Sequence, residues 1–108
     1  MSEVSGPVKM LVTYRPKAGK AEELLVLVQQ HWPTLRSLGL ATEEPAIVYR
    51  ATNKRSGKVF IVEIFSWIDG EASTRAHTTP EVMALWDPMG PIMDGMELAA
   101  IEPVSPKA

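Results

Sequence analysis

The alternation of hydrophobic and polar residues predicts four β-strands. Residues 8–14 and 96–103 alternate at the two-residue period of a strand, and residues 46–52 and 58–68 are rich in β-branched and aromatic side chains. The polar, glycine-containing stretch 53–57 has the length of a hairpin connection. The second and third strands are therefore predicted to be neighbours in an antiparallel sheet.

A helical period follows the first strand. Apolar residues recur at three- and four-residue steps over residues 20–38, and Gly39 is a natural helix end. Pro33 lies inside this stretch and has no backbone N–H to donate, which predicts a kink or restart near Trp32. His31 is then predicted to be partly exposed beside that break. The apolar stripe consists of Ala21, Leu24, Leu25, Val28, Trp32 and Leu35.

A second helical segment, broken in the middle, follows the third strand. Asp69 is predicted to be the N-cap of its first piece, and His77 lies near the end of that piece. Thr79 and Pro80 predict a restart as cap and first helical residue. The second piece carries an apolar stripe of Val82, Met83, Trp86 and Met89.

The predicted order of elements is strand, helix, strand, strand, helix, strand. This order is typical of an α+β, ferredoxin-like βαββαβ sandwich with a four-stranded antiparallel sheet. The third strand is apolar on both sides, whereas two helices cover only one face of a sheet. A second copy of the same sheet is the simplest cover for the other face, so we expect a homodimer that forms through the sheet faces.

The hairpin also gives an expected register. Symmetric closure places Tyr49 beside Ile61 and Ile47 beside Glu63. Glu63 is a charged residue in an otherwise apolar strand. We interpret it as the partner of a lysine or arginine, or as a residue near the barrel rim, with a pocket acid as the alternative.

Composition narrows the class of protein. The chain has 108 residues, 45% of them apolar, which predicts a single domain over residues 1–108 with a core at 8–103 and short tails. The net charge of -2 and scattered basic residues argue against nucleic acid as a partner. The absence of cysteine excludes disulfides and thiolate sites. Because residues 1–7 lack a signal-peptide pattern and no apolar run approaches about 18 residues, we expect a soluble, cytoplasmic protein without membrane contact.

Several stretches of the sequence carry a family resemblance: Tyr14 to Lys20, Glu22 to Leu24, Glu63 to Trp67, Asp69, Glu71, Ala72, His77, Pro80 to Val82, and Trp86. Together they resemble the dimeric α/β-barrel superfamily and, within it, antibiotic biosynthesis monooxygenase-like proteins. The similarity spans about Val8 to Pro103. It implies a homodimer whose two sheets form a barrel, with a pocket between each sheet and its helices. Members include cofactor-independent oxygenases, haem-degrading and haem-binding enzymes, and isomerases.

The resemblance makes His77 the candidate catalytic residue. A cofactor-independent monooxygenase that acts on an aromatic or polyketide-like substrate needs a base to remove a proton, and histidine titrates near neutrality. In the alternative, His77 only bonds a backbone carbonyl and packs. No cofactor and no metal site are predicted. The residues expected to bind a small apolar or aromatic ligand are Tyr14, Trp32, Tyr49, Phe65, Trp67, Met83 and Trp86.

Two other functions stay open at the level of the sequence. The first is a binding or structural dimer of the same fold, in which the tryptophans and methionines are only core. The second is a haem-binding or haem-degrading protein. Haem-degrading members typically use an asparagine on the first strand, and residues 8–14 contain none. This difference argues against haem degradation.

Overall fold

Helices pack on one face of a four-stranded antiparallel sheet in the computed structural model, which describes residues 6–107. The strand order is β2-β3-β1-β4, so the predicted ferredoxin-like fold is confirmed. Residues 1–5 and 108 of the two predicted tails lie outside the described part. The elements are β1 (Val8–Pro16), α1 (Ala21–Gln29), α2 (His31–Ser37), β2 (Ile47–Thr52), β3 (Val59–Trp67), α3 (Ala72–Ala76), α4 (Pro80–Trp86) and β4 (Met93–Ala100), with a 3-10 turn at Gly90–Ile92 before β4.

The central strands β1 and β3 set the geometry of the sheet. Val12 on β1 lies opposite Glu63 on β3 and opposite Leu98 on β4. Because side chains alternate along a strand, Val12, Tyr14 and Glu63 all face the helices. The fourth strand begins at Met93, three residues earlier than predicted, and ends at Ala100.

The predicted register of the β2–β3 hairpin is wrong by one residue. Tyr49 pairs with Val62, not with Ile61. The N–H of Asn53 donates to the carbonyl of Lys58 over 2.8 Å, which leaves the four residues 54–57 in the loop and shortens the assumed connection by one. A slip of one residue moves a side chain to the other face of the sheet. Tyr49 therefore lies on the face away from the helices.

The predicted break of the helix is confirmed, but it lies at Gln30, between α1 and α2, and not near Trp32 as predicted. The N–H of Gln30 donates to the carbonyl of Leu27 over 3.1 Å, a tightened last turn. Pro33 then falls in the first turn of α2, where no N–H is needed. The prediction that His31 is partly exposed is wrong, because His31 begins α2 with its side chain only 3% exposed.

Asp69 does not cap α3 directly. The residue that precedes α3 is Glu71, and the Asp69 carboxylate accepts its backbone N–H over 2.8 Å. This hydrogen bond, together with one that the Arg75 guanidinium donates to the same carboxylate over 3.1 Å, holds the pKa of Asp69 below its ordinary value. Asp69 therefore closes the turn between β3 and α3. The restart with Thr79 as cap and Pro80 as first helical residue is confirmed for α4.

The opposite face of the sheet carries apolar side chains that no described element covers. Ile47 and Tyr49 are exposed, and Leu11, Val62 and Ile64 are half-buried. The helix-side face, in contrast, forms the core with α1 and α2, where Leu24, Val28, Leu35 and Ile61 are fully buried. Within residues 6–107, no helix is long and apolar enough to cross a membrane.

Replacing Gly39 with alanine is expected to lower the free energy of unfolding by about 1 kcal/mol. Gly39 ends the α2 segment with a φ of 75°, and a Cβ there would meet no atom within 4 Å, so the expected loss is purely conformational. Urea denaturation followed by circular dichroism measures it. Gly90→Ala is the matched control, because Gly90 has no positive φ and equally open surroundings. Equal losses in both variants would contradict the expectation.

Candidate functional site

A cavity of about 230 Å³ lies between the helix-side face of the sheet and helices α2, α3 and α4. Its walls are mainly aromatic and methionine side chains, with a small number of polar groups. This combination is typical of small-molecule sites. The cavity is smaller than sites for drug-sized ligands, which have volumes of about 300–1,000 Å³. The aromatic and methionine residues in the wall are Tyr14, Phe65, Trp67, Trp86, Met10, Met89, Met93 and Met96.

A buried polar network lies under this cavity. The Glu63 side chain is fully buried and accepts hydrogen bonds from the Tyr14 hydroxyl over 2.6 Å and from His31 Nδ1 over 2.9 Å. Tyr14 reaches it diagonally, since the direct partner of Tyr14 across the strands is Ile61. These two donors, the Tyr14 hydroxyl and the His31 imidazole, compensate for the burial of the carboxylate.

The network fixes the orientation of the His31 ring. Nδ1 lies 2.9 and 3.0 Å from the two oxygens of Glu63, and a carboxylate only accepts, so Nδ1 carries a hydrogen. Nε2 has no hydrogen-bond partner among the described residues. The ring packs edge-on to Phe65 at 5.3 Å and beside Trp86 at 5.9 Å between centroids. With neutral imidazole, Nε2 is a free acceptor in apolar surroundings.

Tyr14 acts as a donor in this network. Burial raises the pKa of its hydroxyl, and the negative charge and hydrogen bond of Glu63 raise the pKa further. The phenol therefore stays neutral across the physiological range. Tyr14 can hold Glu63 in place, but it cannot serve as a base.

His77 lies at the mouth of the cavity. Its side chain is exposed, its Nδ1 donates to the carbonyl of Ser73 over 2.7 Å, and its ring meets Trp86 at 4.9 Å. The backbone hydrogen bond is the one expected for a purely structural histidine. The same bond places the hydrogen on Nδ1 and leaves Nε2 as an acceptor, which a general base also requires.

The structure brings together four of the seven residues predicted to bind ligand. Tyr14, Phe65, Trp67 and Trp86 all line the cavity. Phe65 and Trp67 pack edge to face at 5.0 Å between centroids, on the same face of β3. These two rings and Trp86 form the apolar wall on either side of His31.

The other three residues that were predicted to bind ligand lie outside the cavity lining. Tyr49 is 53% exposed on the opposite face of the sheet, because the hairpin register differs from the predicted one. Trp32 is turned away after the helix break, and its indole N–H donates to the carbonyl of Thr42 over 3.1 Å. Met83 lies on α4 one position away from the buried Val82.

His31 is the site residue that sequence reasoning missed, and Glu63 was considered as a pocket acid only as the alternative interpretation. The interpretation of Glu63 as the partner of a lysine or arginine is wrong, because its partners are His31 and Tyr14. The helical spacing contained a signal for His31, since the buried positions Leu24, Val28, His31 and Leu35 follow one another at steps of four, three and four. A charged residue within an apolar strand was the signal for Glu63.

A larger groove of about 560 Å³ lies beside the β1–α1 turn and the β2–β3 hairpin. Among its charged groups, Arg15 pairs with Glu97 at 2.6 Å and Lys17 with Asp94 at 3.5 Å. The groove contains no histidine and no buried polar network. Over residues 6–107, no group of three histidine or carboxylate side chains is placed to hold a metal ion. The smaller cavity is therefore the better candidate site.

Comparisons with known proteins show the fold of the chain. No protein-family model matches it, and no curated protein matches its sequence significantly. A candidate antibiotic biosynthesis monooxygenase from Bacteroides thetaiotaomicron is similar over 98% of this chain and 97% of its own, with a TM-score of 0.66 and 13% identity. A second such candidate, from Caulobacter crescentus, is similar over 94% of this chain and 93% of its own, with a TM-score of 0.63 and 17% identity.

A hypothetical protein from Arabidopsis thaliana is also similar, over 100% of this chain and 97% of its own, with a TM-score of 0.68 and 18% identity. These likenesses confirm, at the level of the fold, the resemblance to antibiotic biosynthesis monooxygenase-like proteins. At such low identity they carry no activity or substrate over to this chain.

Proposed function

We propose that this chain is a small-molecule enzyme, a cofactor-independent monooxygenase that takes an aromatic or polyketide-like substrate into the cavity beside Trp86. The observation that supports it best is an aromatic cavity flanked by two histidines, His31 and His77, each with its Nδ1 hydrogen-bonded and its Nε2 free to accept. Such a site can remove protons from a phenol held between mainly apolar walls.

The reaction class is the conversion of a phenol to a quinone. One molecule of phenol and one of O₂ give the quinone and one molecule of water. One oxygen atom becomes the new carbonyl oxygen and the other leaves as water with two hydrogens from the substrate. The substrate supplies the electrons once it is deprotonated. The protein has to bind the phenol, take up protons and keep the reacting anion away from bulk solvent.

His77 is the proposed general base for the proton that leaves the activated ring carbon. Its position at the mouth of the cavity supports this role, since a proton accepted there can pass on to solvent. Phe65, Trp67 and Trp86 are proposed to hold the ring of the substrate through apolar and aromatic contacts. Tyr14 contributes indirectly, by fixing Glu63.

The working form is proposed to be a homodimer in which a second copy covers the open face of the sheet. Ile47, Tyr49, Val62 and Ile64 make this face apolar, and their burial against an identical face is favourable at about 25 cal/mol per Å². The resemblance to dimeric α/β-barrel proteins supports the same arrangement. The ligand cavity lies on the other face, so each protomer keeps its own.

Replacing His77 with alanine is expected to lower kcat by about 10²–10⁴-fold on an accepted phenol, because a positioned base contributes about that much. An oxygen electrode measures consumption of O₂ with a panel of polycyclic phenols, and absorbance follows the quinone. The far-ultraviolet circular dichroism of the variant should match that of the unsubstituted protein.

Thr78→Ala is the matched control, since Thr78 is an exposed neighbour of His77 outside the cavity lining. Unchanged turnover in His77→Ala would remove His77 from the mechanism. If the unsubstituted protein binds the phenols but consumes no O₂ with any of them, the non-catalytic binding protein is the better assignment.

A further inference from the structure

One nitrogen at the floor of the cavity lacks a partner. Within residues 6–107, the buried side-chain polar atoms without a hydrogen bond are Nε2 of His31 and Oγ1 of Thr42. Of these two residues, only His31 lines the cavity. Buried polar atoms are nearly always paired, so an unpaired acceptor beside a ligand-sized space indicates a group that a ligand completes.

The surroundings of His31 fit an acceptor more than a donor. Glu63 accepts the hydrogen on Nδ1, so in the neutral imidazole the lone pair is on Nε2, on the side of the ring away from the carboxylate. The nearest rings are those of Phe65 and Trp86, and neither offers a hydrogen bond to Nε2. A carboxylate that accepts the hydrogen of Nδ1 also fixes the tautomer and the orientation of the ring.

We propose that His31 Nε2 accepts the hydroxyl proton of the aromatic substrate, so that the cavity selects phenols and enols over their ethers. The inference rests on the proposed function for the kind of ligand. In the transfer, the O–H bond breaks and its electron pair stays on the oxygen as phenolate. The proton forms a bond to Nε2, and the resulting imidazolium keeps its Nδ1–H on Glu63. Glu63 and Tyr14 are positioning residues, because they act through His31.

The two histidines then divide the two protons of the reaction. Conversion of a phenol to a quinone removes one hydrogen from oxygen and one from carbon. The rings of His31 and His77 lie 5.9 and 4.9 Å from that of Trp86, so both can reach one substrate ring held beside the indole. His31 takes the hydroxyl proton at the floor, and His77 takes the carbon-bound proton at the mouth.

Entry of the hydroxyl requires a small movement. Nε2 is buried, and Phe65 is a buried residue of the central strand β3. Trp86 is half-buried at the end of α4, so its side chain is the one that can shift. Binding should therefore change the fluorescence of Trp86.

The test compares 4-nitrophenol with its methyl ether, 4-nitroanisole. Both have the same ring and nitro group, and only the phenol has a hydroxyl to donate. We expect the phenol to bind about tenfold more tightly, the difference made by one buried hydrogen bond. At a pH where free 4-nitrophenol is mostly un-ionised, the bound form should show the absorbance band of the phenolate. Isothermal titration calorimetry gives the affinities.

Variants of His31 and Glu63 show which residues cause the preference for the phenol and the phenolate band. His31→Phe keeps a ring of similar size and should abolish both the tenfold preference and the phenolate band, while 4-nitroanisole still binds. Glu63→Gln leaves His31 in place, so the preference should persist and the phenolate band should weaken, because the imidazolium loses its counter-charge. Glu81→Gln is the matched control on an exposed carboxylate and should change neither. If His31→Phe does not fold, the Glu63→Gln spectrum carries the test.

Two results would overturn the inference: equal affinity of the unsubstituted protein for the phenol and the ether, or a phenolate band that His31→Phe or Glu63→Gln leaves unchanged. Failure of the proposed function looks different. A protein that binds 4-nitrophenol as phenolate but consumes no O₂ with any phenol would refute the monooxygenase and leave the role of His31 intact.

Discussion

Replacing Glu63 with alanine is expected to lower the free energy of unfolding by about 3–5 kcal/mol, the usual loss when one partner of a buried charged network is removed. The Tyr14 hydroxyl and His31 Nδ1 would both lose their acceptor at positions 2% and 3% exposed. Urea unfolding at one fixed protein concentration, followed by circular dichroism, measures the change. The protein concentration is kept fixed because formation of the proposed dimer would add to the stability.

Two further variants distinguish the stability lost with the hydrogen bonds of Glu63 from the general effect of replacing a carboxylate residue. Glu63→Gln keeps one oxygen that can accept a hydrogen bond. Its loss in the free energy of unfolding should therefore be about half that of Glu63→Ala. Glu81→Ala, on an exposed carboxylate, should change the stability by no more than about 0.5 kcal/mol. If Glu63→Ala were as mild as Glu81→Ala, the network would have no structural role.

Replacing Val62 with lysine is expected to raise the dissociation constant of the dimer by about 1,000-fold or more. Val62 lies on β3 in the open face of the sheet, paired with Tyr49 on β2. A symmetric interface contains each substitution twice, and it would bury two like charges among apolar side chains. Sedimentation velocity over a range of protein concentrations would show monomers in place of dimers.

Val26→Lys is the matched control for this experiment. Val26 is 52% exposed on α1, on the helical side of the molecule, so the same change of side chain should leave the dimer intact. If the unsubstituted protein is monomeric at all concentrations, or if both variants remain dimers, the open sheet face is not the interface.

Most of the fold could be predicted because its strands and helices each repeat their own pattern. The four strands, the break before Pro33 and the restart at Pro80 all follow from local sequence. The hairpin register could not be read in the same way, since it depends on whether four or five residues form the loop after Thr52. One residue decides which face Tyr49 occupies.

The site was harder to predict because its side chains are distant in the sequence. Tyr14 and Glu63 are 49 residues apart, and His31 and Glu63 are 32 apart. Their meeting depends on the β1–β3 register and on the rotation of α2. Each residue turns a helix by about 100°, so a break at Gln30 and one near Trp32 aim His31 in different directions. Four of the seven residues predicted to bind ligand line this cavity, and the sequence pointed to the less buried of its two histidines.

The alternation along β3 has a consequence for how this chain can change over generations. Val62 and Glu63 are neighbours in sequence but face opposite sides of the sheet, one open and one enclosed. Point substitutions can therefore alter one side while the other is inherited unchanged. A single-residue insertion or deletion within β3 would exchange the two sides over part of the strand. In descendants of this chain, the length of β3 should be preserved more strictly than the identity of most of its residues.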